Sequence, residues 1–157
     1  MPDVFVALGS NAEPERHLQQ AAAGLEKRFG PLRRSSIYRS PAFGFQGADF
    51  LNSVVAFRSD IGPDAVQEIL KAIEDAAGRL RSGPISGPCA LDLDLLLYGR
   101  RVDPRRRLPR SDVLRRPFVL APLAELAPEL THPVTGESIG NTWRATAEHA
   151  PQVVKLR

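Results

Sequence analysis

The stretch CALDLDLLLYG, residues 89–99, sets aspartate between leucines. The apolar run reads as a buried β-strand. Residues i and i+2 of a strand point to the same side. Asp92 and Asp94 therefore share one face, while Leu91, Leu93, Leu95 and Leu97 line the other and pack into a core. A rise of roughly 3.3 Å per residue puts the two Asp Cα atoms about 7 Å apart, close enough for their side chains to lean toward common ligands. Two isolated ionised carboxylates on a covered face carry a large desolvation cost, so a positive partner is expected beside them. Oxygen-only ligands suit Mg²⁺, which keeps several waters and is usually shared with substrate phosphates. Two such ions about 3.5–4 Å apart can clamp the oxygens of an in-line displacement at phosphorus. The plain alternative is a strand with one solvated side.

The neighbouring segments add weight to the ionic reading. SGPISGP (82–88) is a loop of small and turn residues able to close over a ligand. Arg79 and Arg81 precede it, and eight arginines fall between Arg100 and Arg116, offset only by Asp103 and Asp112. Carboxylates between two sets of arginines suit a metal–nucleotide site. On charge alone the arginine run reads as a solvated face, because arginine outnumbers lysine throughout the chain. The G-x-x-x-x-G-K-[ST] motif is absent, which excludes a P-loop protein.

Further out, VFVAL (4–8) reads as a buried strand, followed by GSN as a turn. Leu18, Ala21, Ala22, Leu25 and Phe29 keep helical spacing from Pro14 to Phe29, and Gly30-Pro31 ends the run. LRRSSIYRS (32–40) is a second strand, SPAFGFQGADF (40–50) a loop and FLNSVVAF (50–57) a third strand. Val66, Ile69, Leu70, Ile73, Ala77 and Leu80 form one stripe of a helix that opens near Pro63. PFVLAPLAELAPEL (117–130) is a short helix, and the segment after it holds turns and one more helix. The order is βαββαβ, the ferredoxin-like pattern of an α+β fold with helices on both faces of the sheet. RNA-binding modules share that topology, so fold alone does not fix function.

Length and composition set the outer bounds. The chain has 157 residues, 43% hydrophobic and 25% charged, ordinary for one globular domain spanning 1–157. Its net charge is +3 and its pI about 9.5. No apolar run approaches the ~20 residues of a membrane span. No basic region precedes the N-terminal apolar run, so a signal peptide is not expected and a cytoplasmic location is. The single cysteine, Cys89, excludes an internal disulfide and has no histidine near it in sequence to activate it. His17, His132 and His149 show no ligand spacing and are expected at the surface.

Five segments, in order and spacing, resemble the 6-hydroxymethyl-7,8-dihydropterin pyrophosphokinase family: VALGSN (6–11), YRSPAFGFQGADFLNSVV (38–55), IEDAAGRLR (73–81), LDLDLLLYG (91–99) and RRPFVLAPLAELAPEL (115–130). The resemblance spans the chain end to end. It implies pyrophosphoryl transfer from ATP to the pterin's hydroxymethyl oxygen, with release of AMP and two Mg²⁺ ions held by Asp92 and Asp94. It implies catalytic roles for Arg79, Asp92 and Asp94. ATP contacts would come from Glu74, Arg79, Arg81, Leu95, Arg110 and Arg116, and pterin contacts from Ser40, Pro41, Phe43, Phe50, Asn52 and Phe118. The partners are then small molecules, with no nucleic acid or membrane, and a monomer is expected. Read without the family, Glu74 is a surface carboxylate, Phe118 a core residue and Asn52 a turn residue.

Three positions depart from the family pattern. Ser86 replaces an aromatic in the closing loop, Cys89 replaces an arginine before the strand, and Arg110 replaces the histidine that follows Pro109. Losing a charge-assisted contact costs roughly 1.5–3 kcal/mol. A catalytically weak paralogue that binds pterin or nucleotide is therefore the second reading. An RNA-binding ferredoxin-like module is the third, and it requires exposed aromatics on the central strands for base stacking.

Overall fold

The computed structural model describes residues 1–42, 46–78 and 91–156. Strand β1 (Asp3–Ser10) is buried from Val4 to Ala7 on both sides, as a central strand should be. It runs through Gly9 and Ser10, where a turn was expected. Helix α1 (Pro14–Phe29) starts with proline in its first turn and stops at Gly30, whose φ of 84° suits a residue without Cβ. His17 lies on the buried side of α1, 5% exposed, and its Nδ1 pairs with the Ala12 carbonyl. His132 is also buried, at 6%; its Nδ1 accepts from the N–H groups of Val134 and Thr135, and burial lowers its pKa. The surface placement expected for these two histidines is thus corrected. Both serve turns; His149 is exposed.

The expected second strand is two short ones, β2 (Arg33–Arg34) and β3 (Tyr38–Ser40), both antiparallel to β4 (Phe50–Arg58). The break falls at Ser35, whose Oγ accepts from Val54 N at 2.9 Å and so interrupts the regular ladder. Helix α2 (Pro63–Ala76) precedes β5 (Asp92–Tyr98). After a 3₁₀ turn at Pro104–Arg106 come α3 (Asp112–Arg115), α4 (Pro117–Leu126), α5 (Ile139–Ala147) and β6 (Val154–Lys155). The sheet order is β5-β1-β4-β3-β6, with β2 also on β4. This is the ferredoxin-like α+β arrangement, extended at one edge by β6. That two-residue strand is exposed, so it carries no burial pattern to be read from sequence.

Each face of the sheet has its own apolar cluster. Val4, Val6 and Leu8 of β1 join Leu25 of α1, Leu70 of α2 and Leu93 of β5 on one side. Phe5, Val54, Leu97, Leu120, Leu123 and Ile139 pack on the other, under α4 and α5. The two sides exchange residues at a bulge in β5. Val6 faces Leu95 and Phe5 faces Leu97, which leaves Leu96 as the extra residue. Leu97 therefore turns to the α4 side, away from Leu91, Leu93 and Leu95. The alternation expected to carry Leu97 with those three ends at Leu95. No helix among the described residues is long and apolar enough to cross a membrane.

Candidate active site

Register builds the site. Residues directly opposite in antiparallel strands share a face. Asp92 lies opposite Gly9, Gly9 opposite Asn52 and Asn52 opposite Tyr38. The next row is Asp94, Ala7 and Val54. Both aspartates therefore project toward the α4 face, beside two small residues of β1. Gly9 and Ala7 leave room that larger side chains would fill. A cavity of about 140 Å³ opens there, with Asp92 and Asp94 at one end and Ser40, Pro41, Phe50 and Asn52 at the other. Phe118 and Val119, from the first turn of α4, complete its wall.

At the second end, Asn52 is buried and oriented by its own hydrogen bonds. Its Nδ2 donates to Tyr38 O at 3.2 Å and to Ser40 Oγ at 2.9 Å. Tyr38 O can only accept, which fixes the amide orientation. Oδ1 is left on the Gly9 side: a Cβ built on Gly9 would lie 3.5 Å from it. The amide thus offers the cavity an acceptor, its donors being spent on the sheet. Asn11 Nδ2 donates to Ala48 O at 3.2 Å and ties the loop before β4 to the end of β1.

At the first end, electrostatics dominate. Burial, then the charge of Asp92 and a hydrogen bond between the two groups, push the Asp94 carboxyl up to about 7, against the pull of Arg110. The two side chains converge, as their shared face requires. Arg110 Nη2 stands 3.3 Å from Asp94 Oδ1, and its Nε stands 3.5 Å from Asp112 Oδ2. The Arg110 N–H donates to Leu96 O at 2.9 Å, so the carbonyl of the bulge residue anchors the arginine beside the strand. Among the described residues no cluster of three or more His, Cys, Asp or Glu side chains could hold a metal ion. The Asp pair therefore offers part of a shell made of oxygen. That fits Mg²⁺, which draws its remaining ligands from waters and phosphate.

Glu74 supports the strand from the opposite side. It is 5% exposed, and its Oε2 accepts from the outward-facing N–H of Leu93 at 2.7 Å. The surface placement read from sequence is corrected: the carboxylate caps an edge strand between its two aspartates. Leu95, expected at the nucleotide, is 1% exposed and sits in the α1/α2 core, away from the cavity. Arg116 is half-buried at the start of α4, two residues before Phe118. Phe43, Arg79 and Arg81, like Ser86 and Cys89, lie outside the described residues. Most of the arginine run is structural or solvated. Arg106 forks onto Asp64 at 2.8 and 2.9 Å and reaches Asp103 at 2.8 Å, and Arg100 donates to Thr131.

Gly9, Ala7 and Val119 line the cavity without having been singled out. A glycine inside a strand, which often marks a close approach, was the available signal for Gly9.

Fold and cavity define a class: a ferredoxin-like α+β protein with a small-molecule site on one sheet face, acidic at one end and amide–aromatic at the other. The comparisons narrow it. The family model for 7,8-dihydro-6-hydroxymethylpterin-pyrophosphokinase matches residues 5–128. A 2-amino-4-hydroxy-6-hydroxymethyldihydropteridine pyrophosphokinase of Synechocystis is 42% identical over 139 residues, covering 85% of this chain and 71% of that one. The Pseudomonas aeruginosa protein of the same name is 41% identical over 140 residues, covering 83% of each. A crystal structure of an HPPK-DHPS with substrates superposes with a TM-score of 0.74 at 13% identity, over 96% of this chain and 46% of that one. The wild-type Plasmodium falciparum HPPK-DHPS gives 0.71 at 11%, over 94% and 45%. The chain thus spans about half of these longer proteins, and at such identity the likeness shows the fold alone. The chain belongs to the 7,8-dihydro-6-hydroxymethylpterin-pyrophosphokinase family, a family of diphosphotransferase enzymes.

Proposed function

We propose that the protein transfers the pyrophosphoryl group of ATP to the hydroxymethyl oxygen of 6-hydroxymethyl-7,8-dihydropterin, releasing AMP, as a step of folate biosynthesis. The observation that carries the reading is that Asp92 and Asp94 open into the same cavity as Asn52 and Phe118. The flat pterin lies along Phe118 and Phe50, and its ring N–H groups meet Asn52 Oδ1. Its hydroxymethyl arm then points across Gly9 toward the carboxylates. The triphosphate occupies that acidic end, with Arg110 and Arg116 beside it and Arg79 and Arg81 assigned by resemblance.

Asp92 and Asp94 would hold the divalent ions, two Mg²⁺ on the resemblance, which supply charge neutralisation at the phosphate oxygens when bound. The chain itself provides position and field. It aligns the attacking oxygen with the β-phosphorus, excludes water from the cavity and places arginines where charge builds on the leaving AMP. Glu74 holds the strand that carries both carboxylates.

The test is AMP release with Mg²⁺, ATP and hydroxymethyl-dihydropterin. AMP that requires pterin and disappears in Asp92→Ala supports the transfer. Tight pterin binding without AMP contradicts it and favours the weak paralogue. The RNA reading finds little support: of the three aromatics within the two central strands, Phe5 and Phe57 are 3% and 2% exposed and Phe50 lines the cavity.

A further inference from the structure

We propose that the Arg110 guanidinium is the resident counter-ion of Asp94 in the ligand-free protein and competes with divalent cations for that carboxylate, so that the metal site fills only together with a polyphosphate. The proposal rests on the reading of Asp92 and Asp94 as metal ligands.

Three observations lead to it. First, Arg110 Nη2 and Asp94 Oδ1 are 3.3 Å apart, with the two side chains only 15% and 23% exposed. A cation already sits where two converging carboxylates call for one. Second, the main chain that carries the arginine is anchored beside the strand. The Arg110 N–H is bound to the β5 bulge at Leu96 O, and the Arg110 carbonyl accepts from Val113 N at 3.1 Å. Third, the guanidinium is incompletely satisfied. Its Nε is buried and makes no hydrogen bond, although Asp112 Oδ2 lies 3.5 Å away. A buried donor without an acceptor is costly, and an incoming anion relieves that cost.

The charge cannot be removed by deprotonation, because arginine stays cationic throughout the working pH range. A histidine at this position would become neutral near pH 7 and leave the carboxylates open to a metal. Here a fixed positive charge repels a divalent ion and holds one of the oxygens it needs. Phosphate resolves the competition. The planar guanidinium fork matches phosphate oxygens, so a triphosphate draws Arg110 off Asp94 and exposes the carboxylate together with new ligands.

The experiment is a titration of the intact protein with Mn²⁺ as probe, read by electron paramagnetic resonance. It is run with and without α,β-methylene-ATP, for wild type, R110Q, R110H, R110K and D92N. Removing the charge should tighten Mn²⁺ binding to the nucleotide-free protein by roughly tenfold to a hundredfold, the loss of a charge-assisted contact expressed as an affinity. R110K should stay near wild type. R110H, measured at about pH 8 where imidazole is neutral, should follow R110Q and serves as a second neutral variant if glutamine disturbs folding. The nucleotide analogue should close most of the gap between wild type and R110Q. Equal or weaker Mn²⁺ binding in R110Q and R110H, with binding still lost in D92N, would overturn the competition while leaving the metal site standing. Mn²⁺ binding that D92N does not alter, even with nucleotide, would overturn the metal site and the competition together.

Discussion

The same strands give the two faces of the sheet different tasks. On the α1/α2 side, Leu93 and Leu95 of β5 and Leu91 just before it, none more than 5% exposed, pack against Val4, Val6 and Leu8 of β1. On the α4 side, β5 contributes Asp92 and Asp94, and β1 answers with Gly9 and Ala7. One side is filled throughout and the other packs an apolar cluster but is hollow at the Asp92 end, although helices cover both. The difference lies in side-chain volume along β1 and in where α4 begins, with Phe118 and Val119 at the cavity wall. A period of two lets one strand carry a core and a site at once, so substitutions one residue apart should separate stability from activity.

The largest expected effect is on the hollow side. Asp92→Ala or Asp94→Ala should lower pterin-dependent AMP release by about 10³-fold, the scale seen when an electrostatic partner of a transition state is removed. The melting temperature of Asp92→Ala should hold or rise, since one of two converging carboxylates is gone, whereas Asp94→Ala also strips the part-buried Arg110 of its ion-pair partner and should melt lower than Asp92→Ala. Leu93→Ala, between them, should do the reverse. It empties a core position and should cost about 2–5 kcal/mol in urea unfolding, with activity retained by the folded fraction. Equal behaviour of the three variants in both assays would break the contrast.

A smaller effect sharpens it. In Gly9→Ala the new methyl group meets Asn52 Oδ1 at 3.5 Å and Phe50 at 3.8 Å, ordinary contacts, so folding is undisturbed. The same methyl fills the cavity floor and should weaken pterin binding roughly tenfold, as seen by ligand fluorescence. The smallest effect lies outside the site. Glu125 of α4 accepts from Ser36 N, Ser36 Oγ and Tyr38 Oη. Burial raises its pKa, but these hydrogen bonds outweigh burial and hold the carboxyl below the usual range. A depressed folded-state value means a stabilising contribution present above the ordinary carboxylate pKa and lost as pH falls through the lower one. Acid melts should therefore show wild type losing its small advantage over Glu125→Gln as pH drops below about 4.

How much of this was legible in the chain differs by element. The alternation at 91–95 is visible in the letters, because leucine and aspartate differ so sharply in hydration. The bulge at Leu96 is not, since three consecutive leucines carry no phase and only the pairing with Phe5 and Val6 sets it. The βαββαβ order followed from long periodic runs, whereas β6 and the split at Ser35 depend on edge hydrogen bonds. Glu74 looked like a surface residue because its partner is a main-chain N–H nineteen residues away in sequence. Asn52 and Phe118 became candidates only through resemblance to relatives. Their own letters fit a turn and a core equally well, and the register against Gly9 and Tyr38 is what brings Asn52 into the cavity.

The most direct test is single-turnover transfer from ATP labelled at the β-phosphorus, with excess protein, Mg²⁺ and hydroxymethyl-dihydropterin. A cavity that sets the hydroxymethyl oxygen against that phosphorus predicts all transferred label on the pterin, one AMP per labelled product and no ADP. ADP as the nucleotide product, or label released to water at the same rate with pterin as without it, would contradict the account.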